Sequence, residues 1–188
     1  LDFIVRQNTT RGVINIVDVG CGKAVWGKAA YEFLKELCGK YKYLGQVHVF
    51  SVTGGRECEA QEKTDGNVTH HIFTNFKIEN IDEAFREKGF DLTNSVSLIV
   101  SRRTLQHLVD PFGTLKRIYS LLVPEQGLLL TTGFCFKLED SAAVAEKEQD
   151  LNDILNATNA VVVFKQGADI APDTTDTEYL FMKQDKQP

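Results

Sequence analysis

The chain has 188 residues, 43% apolar and 25% charged, with a formal net charge of −5 and a pI near 5.4. That length suits one substantial core rather than two ordinary domains, and no stretch approaches the ~20 apolar residues of a membrane-spanning helix. The acidic balance disfavours a nucleic-acid partner, and Cys21, Cys38, Cys58 and Cys135, without C-x-x-C spacing, point to a reducing, cytoplasmic setting.

Residues 1–12 mix apolar and polar side chains without a clear period and end in the turn-prone Asn8-Thr9-Thr10-Arg11-Gly12. They read as a lead-in to a single-domain core over residues 13–183. Val13, Ile14, Ile16 and Val17 then give a strand dense enough in β-branched residues to be buried on both faces. It stops at Asp18-Val19-Gly20-Cys21-Gly22, where two glycines permit a sharp turn and a close backbone approach. Residues 26–38 carry Trp26, Ala29, Ala30, Phe33, Leu34 and Leu37 near helical spacing. Strand, glycine turn and helix in that order aim a helix N-terminus and bare backbone N–H groups at a ligand in the crevice above the strand.

A second strand is predicted over residues 47–52, ending at Thr53-Gly54-Gly55. The charged residues 56–67 read as a surface loop or a short, poorly packed helix. His70-His71-Ile72-Phe73 is a third strand, on which the two histidines face opposite ways, so no metal site is expected there. A short helix over 81–90 stops at Gly89, and a fourth strand occupies 95–101. Residues 113–122 have helical spacing and are ended by Pro124, after which 125–133 turn into a fifth buried strand. A helix over 140–155, capped by Asp140-Ser141, precedes two last strands at 160–164 and 178–182, joined by the acidic loop 167–177.

Two runs carry a resemblance. V-D-V-G-C-G at 17–22 resembles the cofactor loop of class I S-adenosylmethionine-dependent methyltransferases, and S-R-R-T-L-Q-H-L-V-D-P at 101–111 is similar to the run that follows their fourth strand. The resemblance covers nearly the whole chain. It implies an α/β fold with a doubly wound, mostly parallel seven-stranded sheet, an antiparallel last strand and helices on both faces. It implies S-adenosylmethionine as cofactor and a small-molecule methyl acceptor. By the same resemblance Asp18, Gly20, Cys21, Gly22 and Trp26 form the cofactor loop, Thr53 falls at the ribose position, Lys77 and Ile78 at the adenine position, and Ser101 beside the cofactor. His107 is the candidate base for a hydroxyl or amine acceptor, and Arg102 and Arg103 are candidates to hold a carboxylate or phosphate.

The sequence departs from the family pattern at three places. Ala24 replaces the third glycine, Thr53 an acid, and Lys77 another acid, with Glu57 and Glu59 close enough in sequence to reach back towards the ribose position. Two readings follow, an active small-molecule methyltransferase or a degenerate, inactive binding or regulatory module of the same fold. A nicotinamide-dependent oxidoreductase would need G-x-G-x-x-G and an acid ending the second strand, and neither is present.

Overall fold

The computed structural model describes residues 1–7, 12–132, 136–137, 153, 160–171 and 174–183. Helix α1 (Asp2–Gln7) precedes β1 (Val13–Val19), α2 (Val25–Tyr41) and β2 (Gln46–Val52). The hairpin strands β3 (Gln61–Asp65) and β4 (Val68–Phe73) follow, then a short helical turn (Ile78–Asn80) running into α3 (Ile81–Glu87). Strand β5 (Val96–Arg102) leads through a second turn (Leu105–His107) to α4 (Pro111–Leu121) and β6 (Leu128–Thr132). The described chain closes with β7 (Phe136–Lys137), β8 (Ala160–Ala171) and β9 (Thr174–Lys183).

The strands form one sheet in the order β3-β4-β2-β1-β5-β6-β9-β7, with β8 on the other edge of β9. Strands β4, β2, β1, β5 and β6 are parallel, and β9 runs antiparallel to β6. Within it lies the predicted seven-stranded arrangement, β4-β2-β1-β5-β6-β9-β8, and the strand order reverses beside β1. In doubly wound sheets that reversal opens a crevice at the strand ends, which here receives the turn after β1.

Strand β1 reads as continuously apolar because both its faces are covered. Ile14 and Ile16 pack with Ile4, Val5, Tyr31 and Leu34 of α1 and α2, whereas Val17 and Val19 pack with Phe85, Leu115 and Ile118 of α3 and α4. The polar Asn15 is tolerated inside because its Nδ2 donates to Ser95 O at 3.2 Å.

Several expectations need correction. Within the lead-in, which the sequence left without an assigned element, residues 2–7 form α1 and place Ile4 and Val5 against α2. A two-residue apolar pair on a single helical turn is too short to show a period. Residues 61–65, read as loop or helix, are strand β3, whose five side chains are all exposed, so no apolar alternation marked it. The acidic loop expected over 167–177 is mostly strand, because β8 and β9 pair far beyond their apolar cores, from Ala160↔Lys183 to Ala171↔Thr174. The helix expected over 140–155 lies outside the described residues apart from Asp153. Among the described residues no helix is long and apolar enough to cross a membrane.

Candidate functional site at the strand ends

The turn after β1 is built by three constraints. Gly20 N and Cys21 N both donate to Val52 O, at 2.8 and 3.0 Å, which ties the turn to the end of β2. These two N–H groups are therefore engaged within the protein, contrary to the expectation that the loop presents them bare. Gly20 has φ 73°, and a Cβ there would collide with the Thr104 side chain, whose Oγ1 lies 3.1 Å from the carbonyls of Val19 and Arg102. The segment after β5 thus closes over the first glycine. Gly22, at φ 52°, is different, because the space its Cβ would fill is open. Bare backbone faces the crevice at Gly22.

Ala24 also adopts the left-handed conformation, with φ 56°. It is the N-cap of α2 and supplies no side-chain cap. That role falls to Asp18, whose carboxylate accepts the Gly27 N–H from across the turn. Asp18 is 2% exposed, and its Oδ2 has no hydrogen-bond partner among the described residues. Burial pushes its pKa up to about 6, against the pull of the Arg102 charge and the Gly27 N–H. The site therefore holds an incompletely satisfied buried acid at the end of its central strand.

Thr53 does not present its hydroxyl to the crevice. It is 4% exposed, and its Oγ1 donates to Glu57 Oε2 at 3.1 Å while accepting from Gly55 N at 3.2 Å. A carboxylate four residues on, that of Glu57, thus lies at the end of β2, over Gly55. Lys77 is exposed, with Nζ 3.6 Å from Glu87. Ile78 is buried and opens a helical turn, where the first N–H groups lack partners within the turn.

The remaining predicted residues are spread more widely. Cys21 is buried beside Ala24, Ile72 and Cys58, and burial pushes its thiol up to about 12, which removes it as a nucleophile at neutral pH. Trp26 is half-buried against the α1/α2 core. Ser101 is fully buried on β5 with its Oγ unpartnered among the described residues, next to the equally unpartnered Thr131. His107 is exposed on the turn after β5, and Arg102 and Arg103 are exposed at that strand's end.

Sequence reasoning missed Gly27, Thr104 and Cys58. Gly27 lets α2 approach the sheet, since a Cβ there would strike Ser51 Oγ. Its only signal was its place one turn into the helix, where glycine is otherwise unfavourable. His70 and His71 do face opposite sides, His70 towards Ser51 and His71 towards Phe50 and Glu62. Among the described residues no group of three or more ligating side chains is placed to hold a metal.

A model of the methyltransferase domain matches residues 2–159. The chain belongs to that family. Comparison with curated proteins gives no match. Solved structures of the same fold include an arsenic(III) S-adenosylmethionine methyltransferase from Chlamydomonas reinhardtii, with a TM-score of 0.55, 16% identity and cover of 91% of this chain and 63% of that one. A mutant 16S rRNA adenine methyltransferase from Catenulisporales acidiphilia gives 0.55 at 12% identity, covering 100% and 94%. The Haemonchus contortus phosphoethanolamine N-methyltransferase 2, in complex with phosphomonomethylethanolamine and S-adenosylhomocysteine, gives 0.57 at 13% identity, covering 98% and 52%. The methyltransferase domain described here therefore spans under two thirds of the length of two of these three proteins. S-adenosylmethionine is the cofactor that family membership brings with it.

Proposed function

We propose that this methyltransferase domain transfers a methyl group from S-adenosylmethionine to a small-molecule acceptor. The observation that carries the reading is the open backbone at Gly22 beside the buried, half-satisfied Asp18 carboxylate. The residues present fit the cofactor. Gly22 leaves room for a ligand against the main chain, Asp18 offers a free oxygen to a cationic group, and Glu57 supplies an acid for a ribose diol. The N–H of Ile78 remains a donor for an adenine ring, although Lys77 cannot accept from its amino group.

When bound, the cofactor supplies an electrophilic methyl on a sulfonium. The protein's own part is to bind, align and desolvate, which is where most of the acceleration of such a transfer arises. Asp18 and Glu57 fix orientation from two loops tied together by the Gly20 and Cys21 bonds to Val52. We place His107 as the base that takes the acceptor's proton and Arg102 or Arg103 as the group that holds an acidic acceptor. A small acceptor is favoured by the net charge of −5, which repels a phosphate backbone. The fold itself does not choose, because the neighbours named above include both small-molecule and rRNA methyltransferases.

Calorimetric titration with S-adenosylmethionine tests the proposal. Saturable binding is expected in the parent, and its loss in Gly22→Val, whose side chain would fill the cradle. His107→Gln is expected to lower turnover while leaving cofactor affinity unchanged. No binding by the parent would favour the inactive-module reading, for which Lys77 in place of an acid is the specific motive.

A further inference from the structure

We propose that the cavity between α2 and the β3–β4 hairpin is a binding site for a small organic anion, apart from the crevice at the strand ends. The cavity has a volume of about 230 Å³ and is lined by Lys28, Tyr31 and Glu32 of α2, Lys63 of β3, and His70 and Ile72 of β4. None of the residues assigned above to the cofactor lines it.

Its outer wall exists for no reason of core packing. All five residues of β3 are exposed, so the strand buries no apolar surface. It is instead drawn over α2 by ions. Lys63 Nζ lies 3.1 Å from Glu32, Lys35 Nζ 3.0 Å from Glu32, and Lys35 Nζ 2.7 Å from Asp65. Lys63 Nζ also stands over the Tyr31 ring, 5.0 Å from its centroid. Exposed pairs of this kind contribute little stability, so their effect is to fix the geometry of the wall.

The interior is electrically lopsided. Glu32 is shared between Lys35 and Lys63, whereas the Lys28 ammonium has no carboxylate within ion-pair distance among the described residues. His70, 3% exposed, has its Nε2 2.9 Å from Ser51 Oγ. Burial and the nearby Lys28 and Lys63 charges hold its pKa down to about 4, so the ring is neutral at pH 7. The neutral ring can carry its proton on either nitrogen, so the Ser51 hydroxyl and Nε2 share one hydrogen bond in either direction. Two ammonium groups, Lys28 and Lys63, against the single Glu32 carboxylate leave the lining with a net positive charge, which selects a negatively charged group. The stacked Tyr31 and His70 rings, 5.7 Å apart, with Ile72, supply an apolar bed for the rest of the ligand. The volume is below the usual range for drug-sized ligands, which excludes a nucleotide and suits an acid the size of benzoate.

The test follows the His70 ring by NMR in the full chain while sodium benzoate or inorganic phosphate is added at constant ionic strength, with sodium chloride as control. Benzoate is expected to shift the His70 signals saturably and to raise the His70 pKa, because a bound anion stabilises the imidazolium. Lys28→Gln, an exposed substitution, is expected to weaken benzoate by about fivefold or more, and Gly22→Val to leave it unchanged, which separates this site from the cofactor crevice. Absence of saturation beyond the chloride control, indifference to Lys28→Gln, or equal affinity for phosphate would each overturn the proposal.

Discussion

Thr53 holds the Glu57 carboxylate at 3.1 Å, which brings a negative charge to the rim of the crevice although β2 itself ends without one. Glu57→Gln is therefore expected to weaken S-adenosylmethionine by about tenfold to a hundredfold, the worth of a charge-assisted bond at roughly 1.5–3 kcal/mol. Thr53→Asp, by contrast, would set a second carboxylate against the first, and titration should find no gain in affinity. A tenfold gain would show that Glu57 does not serve the ribose. Ala24 is a compromise at the same scale. Its left-handed backbone costs about 1–2 kcal/mol relative to glycine, while burying its methyl returns about 0.8 kcal/mol. The two nearly offset, so the third glycine of the family pattern is dispensable for folding here.

Helix α2 approaches the sheet closely at Gly27, where no Cβ fits against Ser51 Oγ. Gly27→Ala would drive a Cβ into Ser51 Oγ and within 3.0 Å of His70 Nε2, so it is expected to destabilise by about 1–3 kcal/mol in urea unfolding. Adding Ser51→Ala should recover part of that loss, and strictly additive effects would refute the contact. This explains what the sequence could and could not disclose. Strand β1 and α2 announce themselves by buried side chains at regular spacing, and the apolar halves of β8 and β9 by their runs of β-branched and aromatic residues. Strand β3 does not, because it is held by backbone pairing and ion pairs, and neither leaves a hydrophobic period. The candidate site was legible where backbone geometry demands glycine, at Gly20 and Gly22. It was legible only in part at the end of β2, where the sequence offers both Glu57 and Glu59 to reach back and the choice depends on how a loop folds; the structure brings Glu57 to Thr53.

For the whole molecule, the buried titrating groups pull stability in opposite directions over one pH range. His70 has its pKa lowered from 6.5 to about 4, so between those values the unfolded chain binds more protons and stability rises with pH, by about 3 kcal/mol in all. Burial also lowers the pKa values of His48 and His71, which add to the same trend. Asp18 acts the other way. Its pKa is raised from 3.8 to about 6, so between those values the folded protein binds more protons and stability falls with rising pH, again by about 3 kcal/mol. Asp18→Asn keeps an acceptor for the Gly27 N–H and removes the ionisation. Its unfolding free energy, measured by urea titration at intervals from pH 4 to 7, is therefore expected to climb more steeply than that of the parent. His70→Gln should climb less steeply. An Asp18→Asn profile parallel to the parent would mean that the carboxylate ionises in the folded protein as freely as in water. The same carboxylate would then lack the unsatisfied oxygen on which cofactor binding at this turn is argued to rest.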